Sequence, residues 1–224
     1  MPDTTKPAFT GAANVSQLGC WLGMSRNRVE EFSAALGVLS AGKKFPEYRL
    51  ITGLLGLEIG SAAVTPMTSR LMTLAEAAAE LGCSAQDLKI KIENGQIAAP
   101  PMYVFGERSR RFIRHQFLAY SRDPRGRFAS YAFLPGFLMS LDDLAREAGL
   151  QPDTLKEEFE AGCRMEPVHV IFEGGRKRYF RTHAKSIFKQ SNRSEDPAAG
   201  DGLPAFSGGV LGQVARAAAG AGQA

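Results

Sequence analysis

Cysteine is scarce: Cys20, Cys83 and Cys163 are the three in 224 residues, far apart and outside any C-x-x-C spacing. That speaks against a disulfide framework and fits a reducing cytoplasm. His115, His169 and His183 show no metal-ligand spacing, so no metal is expected. No apolar run approaches the roughly 18 residues of a membrane span, and no signal peptide is evident. The chain also lacks a phosphate-cradling glycine loop followed by lysine, an H-E-x-x-H and a G-x-S-x-G. Neither catalysis nor a cofactor is therefore expected, and Gly174-Gly175 reads as a hairpin turn. Net charge is only +4, a surplus too small to name a partner by itself. With 44% apolar and 22% charged residues, the material is that of an ordinary globular protein.

What the chain does have is an internal repeat. Shifted by 67 residues, Met72–Arg114 lies on Met139–Arg181 without a gap, with thirteen identities that include Gly82/Gly149, Leu88/Leu155, Gly95/Gly162, Phe105/Phe172, Arg111/Arg178 and Arg114/Arg181. Chance would give about two or three. Each copy opens with a capping box, Thr73-Leu-Ala-Glu76 or Ser140-Leu-Asp-Asp143, then apolar residues at helical spacing, then Gly82 or Gly149 as the stop. A second helix follows, with Leu88, Ile92 and Leu155, Phe159 as its buried i, i+4 pairs, ending at Gly95 and Gly162. Met102–Phe105 and Val168–Phe172 are β-prone runs, each meeting an arginine-bearing return run, Arg110–Arg114 or Arg176–Arg181.

A helix-turn-helix followed by a basic hairpin is a winged helix. Over about 45 residues per copy, these two segments resemble the small winged helix-turn-helix domains of the MerR and phage-excisionase type. The resemblance implies a second helix in the DNA major groove and a wing on the neighbouring backbone or minor groove. A third, more divergent copy precedes them. Asn14-Val-Ser-Gln17 caps its first helix, Gly23 stops it and Ser25 caps the next, but no wing hairpin is expected after it. Tyr48–Leu57 reads as a short amphipathic helix.

The expected fold is mainly α with small β-hairpin wings, a string of tandem helix-turn-helix domains. Residues 1–13 form an arm, 14–59 a wingless module 1, 60–71 a linker and 72–120 module 2. A linker and packing segment spans 121–138, module 3 covers 139–190, and 191–224 is a low-complexity tail expected to be disordered.

The basic residues are concentrated rather than spread. Met102–Ser130 carries seven arginines against Glu107 and Asp123, and 164–193 carries eight lysines and arginines against Glu166 and Glu173. Such patches suit a polyanion, because neutralised phosphates release counterions. The helix tip Arg26, Asn27, Arg28 offers bidentate donors for guanine and adenine edges. Lys43 and Lys44, Gln86 and Lys89, and the wing residues Arg108, Arg110, Arg111, Arg114, Arg176, Lys177, Arg178 and Arg181 complete the candidate DNA-binding set. Alternation puts Arg111 with Ile113 on one face and Arg110, Phe112 and Arg114 on the other. The second helix of module 3, with Asp153, Glu157, Glu158 and Glu160, is suited to protein instead of phosphate, and the tail is a second candidate protein contact.

The expected function is sequence-specific binding of double-stranded DNA in the cytoplasm, at the nucleoid, as in transcription regulation or excision. Two alternatives are a phage small terminase subunit and an adaptor built on degenerate winged helices.

Overall fold

The computed structural model describes residues 11–58, 69–106, 109–125 and 131–194. Each of the three segments uses one plan: a short strand, a helix pair, a return strand and a closing helix. Module 1 is β1 (Ala12–Asn14), α1 (Val15–Leu22), α2 (Arg26–Ala35), β2 (Lys44–Pro46) and α3 (Glu47–Arg49), which runs on into a π-helical turn, Leu50–Leu54. Module 2 is β3 (Met72–Thr73), α4 (Leu74–Glu80), α5 (Ala85–Glu93), β4 (Met102–Val104), β5 (Arg110–Phe112) and α6 (Arg114–Arg122). Module 3 repeats it as β6 (Leu138–Met139), α7 (Leu141–Ala148), α8 (Pro152–Glu160), β7 (His169–Ile171), β8 (Lys177–Phe180) and α9 (Arg181–Ser194). All three first helices start with reciprocal capping boxes, at Asn14/Gln17, Thr73/Glu76 and Ser140/Asp143. Local capping chemistry thus repeats where overall identity has faded.

The expected architecture, mainly α with separate small wings, is overturned by the sheet. β3 to β8 form one six-stranded antiparallel sheet in the order β3-β5-β4-β7-β8-β6. Its centre is the β4–β7 pair, with Met102 opposite Ile171, Tyr103 opposite Val170 and Val104 opposite His169. Since His169, Val170 and Ile171 are the repeat counterparts of Met102, Tyr103 and Val104, this register is a pseudo-twofold centred on Tyr103 and Val170. Two wing hairpins have joined edge to edge, as two copies do in an isologous dimer. The physical reason lies in the strands themselves. β4 and β7 are buried at every position, and an apolar edge of that kind is stable only when paired and covered.

Three cores follow from the alternation of this sheet. On one face, Met102, Val104, Phe112 and Ile171 pack with Ala77 and Ala78 of α4, Leu88 and Ile92 of α5, and Phe117 of α6. Met139 and Tyr179 pack with Leu144, Leu155 and Phe188 of module 3. The opposite face, with Tyr103, Val170 and Phe180, is covered by module 1 through Leu18, Trp21, Leu22, Val29 and Leu54. An aromatic chain crosses this layer. Phe32 of α2 meets Phe105 at 5.0 Å between ring centres, Phe105 meets Tyr103 at 5.8 Å, and Phe133 meets Phe172 at 5.3 Å. Burial of each large side chain here is worth about 1.5–3 kcal/mol, which makes module 1 an integral layer and not an appended domain.

The segment expected to pack module 3, Tyr131–Leu138, meets module 3 and also joins the layer between module 1 and the sheet. Phe133 pairs with Leu57, and Phe137 stacks edge-on with Phe180 at 4.8 Å. The expected arm (apart from its last residues), most of the first linker and residues 195–224 of the tail lie outside the described residues, while 191–194, expected to be disordered, continue α9.

Candidate nucleic-acid interface

The wing expected to be missing from module 1 is present in miniature. Ala41 and Lys44 exchange two backbone hydrogen bonds, 2.7 and 3.2 Å, around Gly42-Lys43, and β1 pairs with β2. Both turn residues have positive φ, 57° for Gly42 and 65° for Lys43, as a two-residue hairpin with the right twist requires. Lys43 is the one non-glycine residue with positive φ among the described residues. A lysine held at positive φ is strained, and Lys43 is exposed in this tight turn.

Beside that turn stands the first turn of α2. Val29 anchors the helix in the core, which leaves Arg26, Asn27 and Arg28 exposed. A groove of about 590 Å³ between the start of α1, one side of α2 and the hairpin brings Arg26 and Lys43 to a common border. Arg26 faces Glu30 at 4.0 Å with both side chains more than half exposed, a pairing of little energy. Lys44 is also exposed.

The wing cations of modules 2 and 3 are placed quite differently. Arg111, expected on a wing face, is 7% exposed and turned toward module 1. Its Nε donates to the Leu22 carbonyl at 2.6 Å and its Nη2 to the Gly23 carbonyl at 2.7 Å, so its guanidinium closes the C-terminus of α1. Burial lowers its pKa from the usual arginine value, opposed by Glu76, with Arg28 and Arg70 adding to the lowering. A cation at a helix C-terminus is favoured by the helix dipole.

Arg110 and Lys89 share Glu93, at 3.4 and 3.5 Å. Arg114 and Arg70 share Glu76, the former at 3.0 Å. Burial works against the charge on Glu76, but hydrogen bonds from Thr73 and the two arginines hold its pKa below the usual carboxylate range. Lys177 pairs with Glu166 at 2.8 Å and Arg181 with Glu147 at 2.9 Å. Arg110, Arg111 and Arg114 are therefore turned into the fold, which corrects the expectation that the wing presents them outward, whereas Lys89, Lys177 and Arg181 stay at the surface in ion pairs. Apart from Lys89 and Glu93, an i,i+4 pair on α5, the acidic partners sit in other elements of the fold, where no local sequence pattern flags them.

Arg176 is exposed, its Nε donating to the Glu173 carbonyl at 3.2 Å, and Arg178 is exposed as well. Gln86 is exposed at the start of α5, and Arg108 lies outside the described residues. The wing turn Glu173–Gly175 is itself used internally. It packs on the C-terminus of α5, so closely that a Cβ on Gly175 would collide with the Glu93 carbonyl oxygen.

On α8, Asp153, Glu157 and Glu160 are exposed, whereas Glu158 pairs with Arg164 at 2.7 Å. Sequence reasoning did not single out Arg70 and Arg164, and weighed His169 and His183 only as metal ligands. His169 is buried, with burial holding its pKa below 6.5, opposed by Glu166. His183 Nδ1 accepts from the Val168 backbone N–H at 3.0 Å, and burial lowers its pKa too.

Among the described residues no group of three or more His, Cys, Asp or Glu converges as metal ligands, and no helix is long and apolar enough to cross a membrane. No family model, curated protein or solved structure matches the chain.

Proposed function

We propose that the chain binds double-stranded DNA through module 1, with modules 2 and 3 fused beneath it as a rigid platform. The observation that carries this reading is that Arg26, in the exposed first turn of α2 with Asn27 and Arg28, and Lys43, on the exposed hairpin with Lys44, border one groove. A helix tip of that composition suits base edges in the major groove, with Arg on guanine and Asn on adenine. Two lysines on an adjoining turn suit phosphates, which fix register without reading sequence. The MerR and excisionase resemblance supports the same class, and with it a role in transcription regulation or recombination directionality. A protein-binding adaptor is the second reading, favoured by the internally paired wing cations and by the exposed carboxylates of α8.

Selection from a pool of random duplexes, followed by titration at several salt concentrations, separates the two. DNA binding through these residues predicts an enriched sequence and a log K that falls by about 0.9 per phosphate contact for each unit of log salt. An adaptor shows neither.

A further inference from the structure

A second cavity, of about 610 Å³, lies where all three modules meet. Its walls carry four cations: Arg28 from α2, Arg110 from β5, Arg164 from the segment after α8, and Lys177 from β8. Glu93 and Glu166 are its carboxylates, matched to Arg110 and Lys177. Arg164 is matched from outside the cavity lining by Glu158. Arg28 has no carboxylate partner among the described residues, so the cavity holds one unmatched guanidinium.

His169 and His183 add imidazoles to the wall. Because His183 Nδ1 accepts from a backbone N–H, the proton of its neutral ring is on Nε2, a donor that brings no charge. Val104, Phe159 and Met165 supply an apolar side, and Met165 is 64% exposed, unusual for so large an apolar side chain.

The size of the cavity is that of a small-ligand site.

We infer that this cavity binds a small organic anion, a phosphate monoester or carboxylate on an apolar body, whose charge is met by Arg28 and Arg164. Such a ligand ties α2 to module 3, taking the unmatched Arg28 and sharing Arg164 with Glu158. The inference does not depend on the DNA reading.

Phenyl phosphate is the probe, titrated into the full chain and followed by calorimetry and by amide NMR shifts. One-site saturation is expected, weakened about tenfold by Arg28→Gln and by Arg164→Gln, and unchanged by Arg146→Gln on the distant face of α7. Failure to saturate by about 1 mM overturns the inference, as does affinity indifferent to Arg28→Gln. Equal binding of benzyl alcohol, which lacks the charge, also overturns it. Equal binding of dimethyl phosphate would assign the site to a nucleic-acid backbone and overturn it too.

Discussion

In module 1 the hairpin is a two-residue turn, exposed, with Lys43 and Lys44 on it. In modules 2 and 3 the equivalent hairpins lie at the centre of a six-stranded sheet, with Arg110, Arg114, Arg181 and Arg111 tied to Glu93, Glu76, Glu147 and the end of α1. One plan thus has two outcomes, and the edge strand decides between them. A strand that is apolar on both faces pairs and is covered, and the charges beside it are drawn into internal ties. The module 1 strand β2 pairs with β1 alone, outside the six-stranded sheet, and Lys43 and Lys44 beside it stay in solvent. Within the sheet the repeat mates Arg111 and Arg178 still differ: Arg111 meets module 1 and is buried against α1, whereas Arg178 is exposed.

The comparison breaks most visibly at the pseudo-twofold. Val170→Asp puts a carboxylate between Tyr103 and module 1 and should cost more than about 4 kcal/mol, read as loss of the cooperative urea transition. Next comes the Arg111/Arg178 pair. Arg111→Ala strips two carbonyls of their charged donor and should lower unfolding free energy by about 2–4 kcal/mol, whereas Arg178→Ala should stay within about 0.5 kcal/mol. Equal effects would mean that the repeat mates do equal work.

Third, Arg26→Ala or Asn27→Ala should leave the melting temperature in place. Each should cost about 1–3 kcal/mol at the selected duplex, measured by anisotropy.

The smallest effect is of pH. His169 and His183 have folded-state pKa values held below 6.5 by burial, so the unfolded chain binds more protons as pH drops. Their contribution is whole above about pH 6.5 and is lost as pH falls through the folded values. Denaturation midpoints at about pH 7.5 and pH 5 check this, and His183→Gln should flatten the difference between them.

The helix pairs, their caps and their buried positions could be read from the sequence, because i, i+4 spacing and capping boxes are local signals. So could the facing of Arg111 with Ile113 against Phe112. The fusion of the wings was not read, although its trace is present. Met102, Tyr103 and Val104, like Val170 and Ile171, leave no polar position for a solvent face. The ion pairs had no such trace, because Glu76 and Arg114 lie 38 residues apart and meet only through the register of β3 on β5. The hairpin of module 1 was missed for a different reason: Gly42-Lys43 is not a pair that favours positive φ at both positions.

The most direct test sets the two kinds of wing against each other in one assay. The slope of log K against log salt for the selected duplex is measured for the parent chain and two variants. One variant carries Arg26→Ala, Arg28→Ala, Lys43→Gly and Lys44→Ala; the other carries Arg114→Gln and Arg181→Gln. The slope should become shallower by about 0.9 per lost phosphate contact in the first variant and stay unchanged in the second. An unchanged slope in the first variant, or no duplex binding by the parent chain at all, contradicts the assignment of module 1 as the reader.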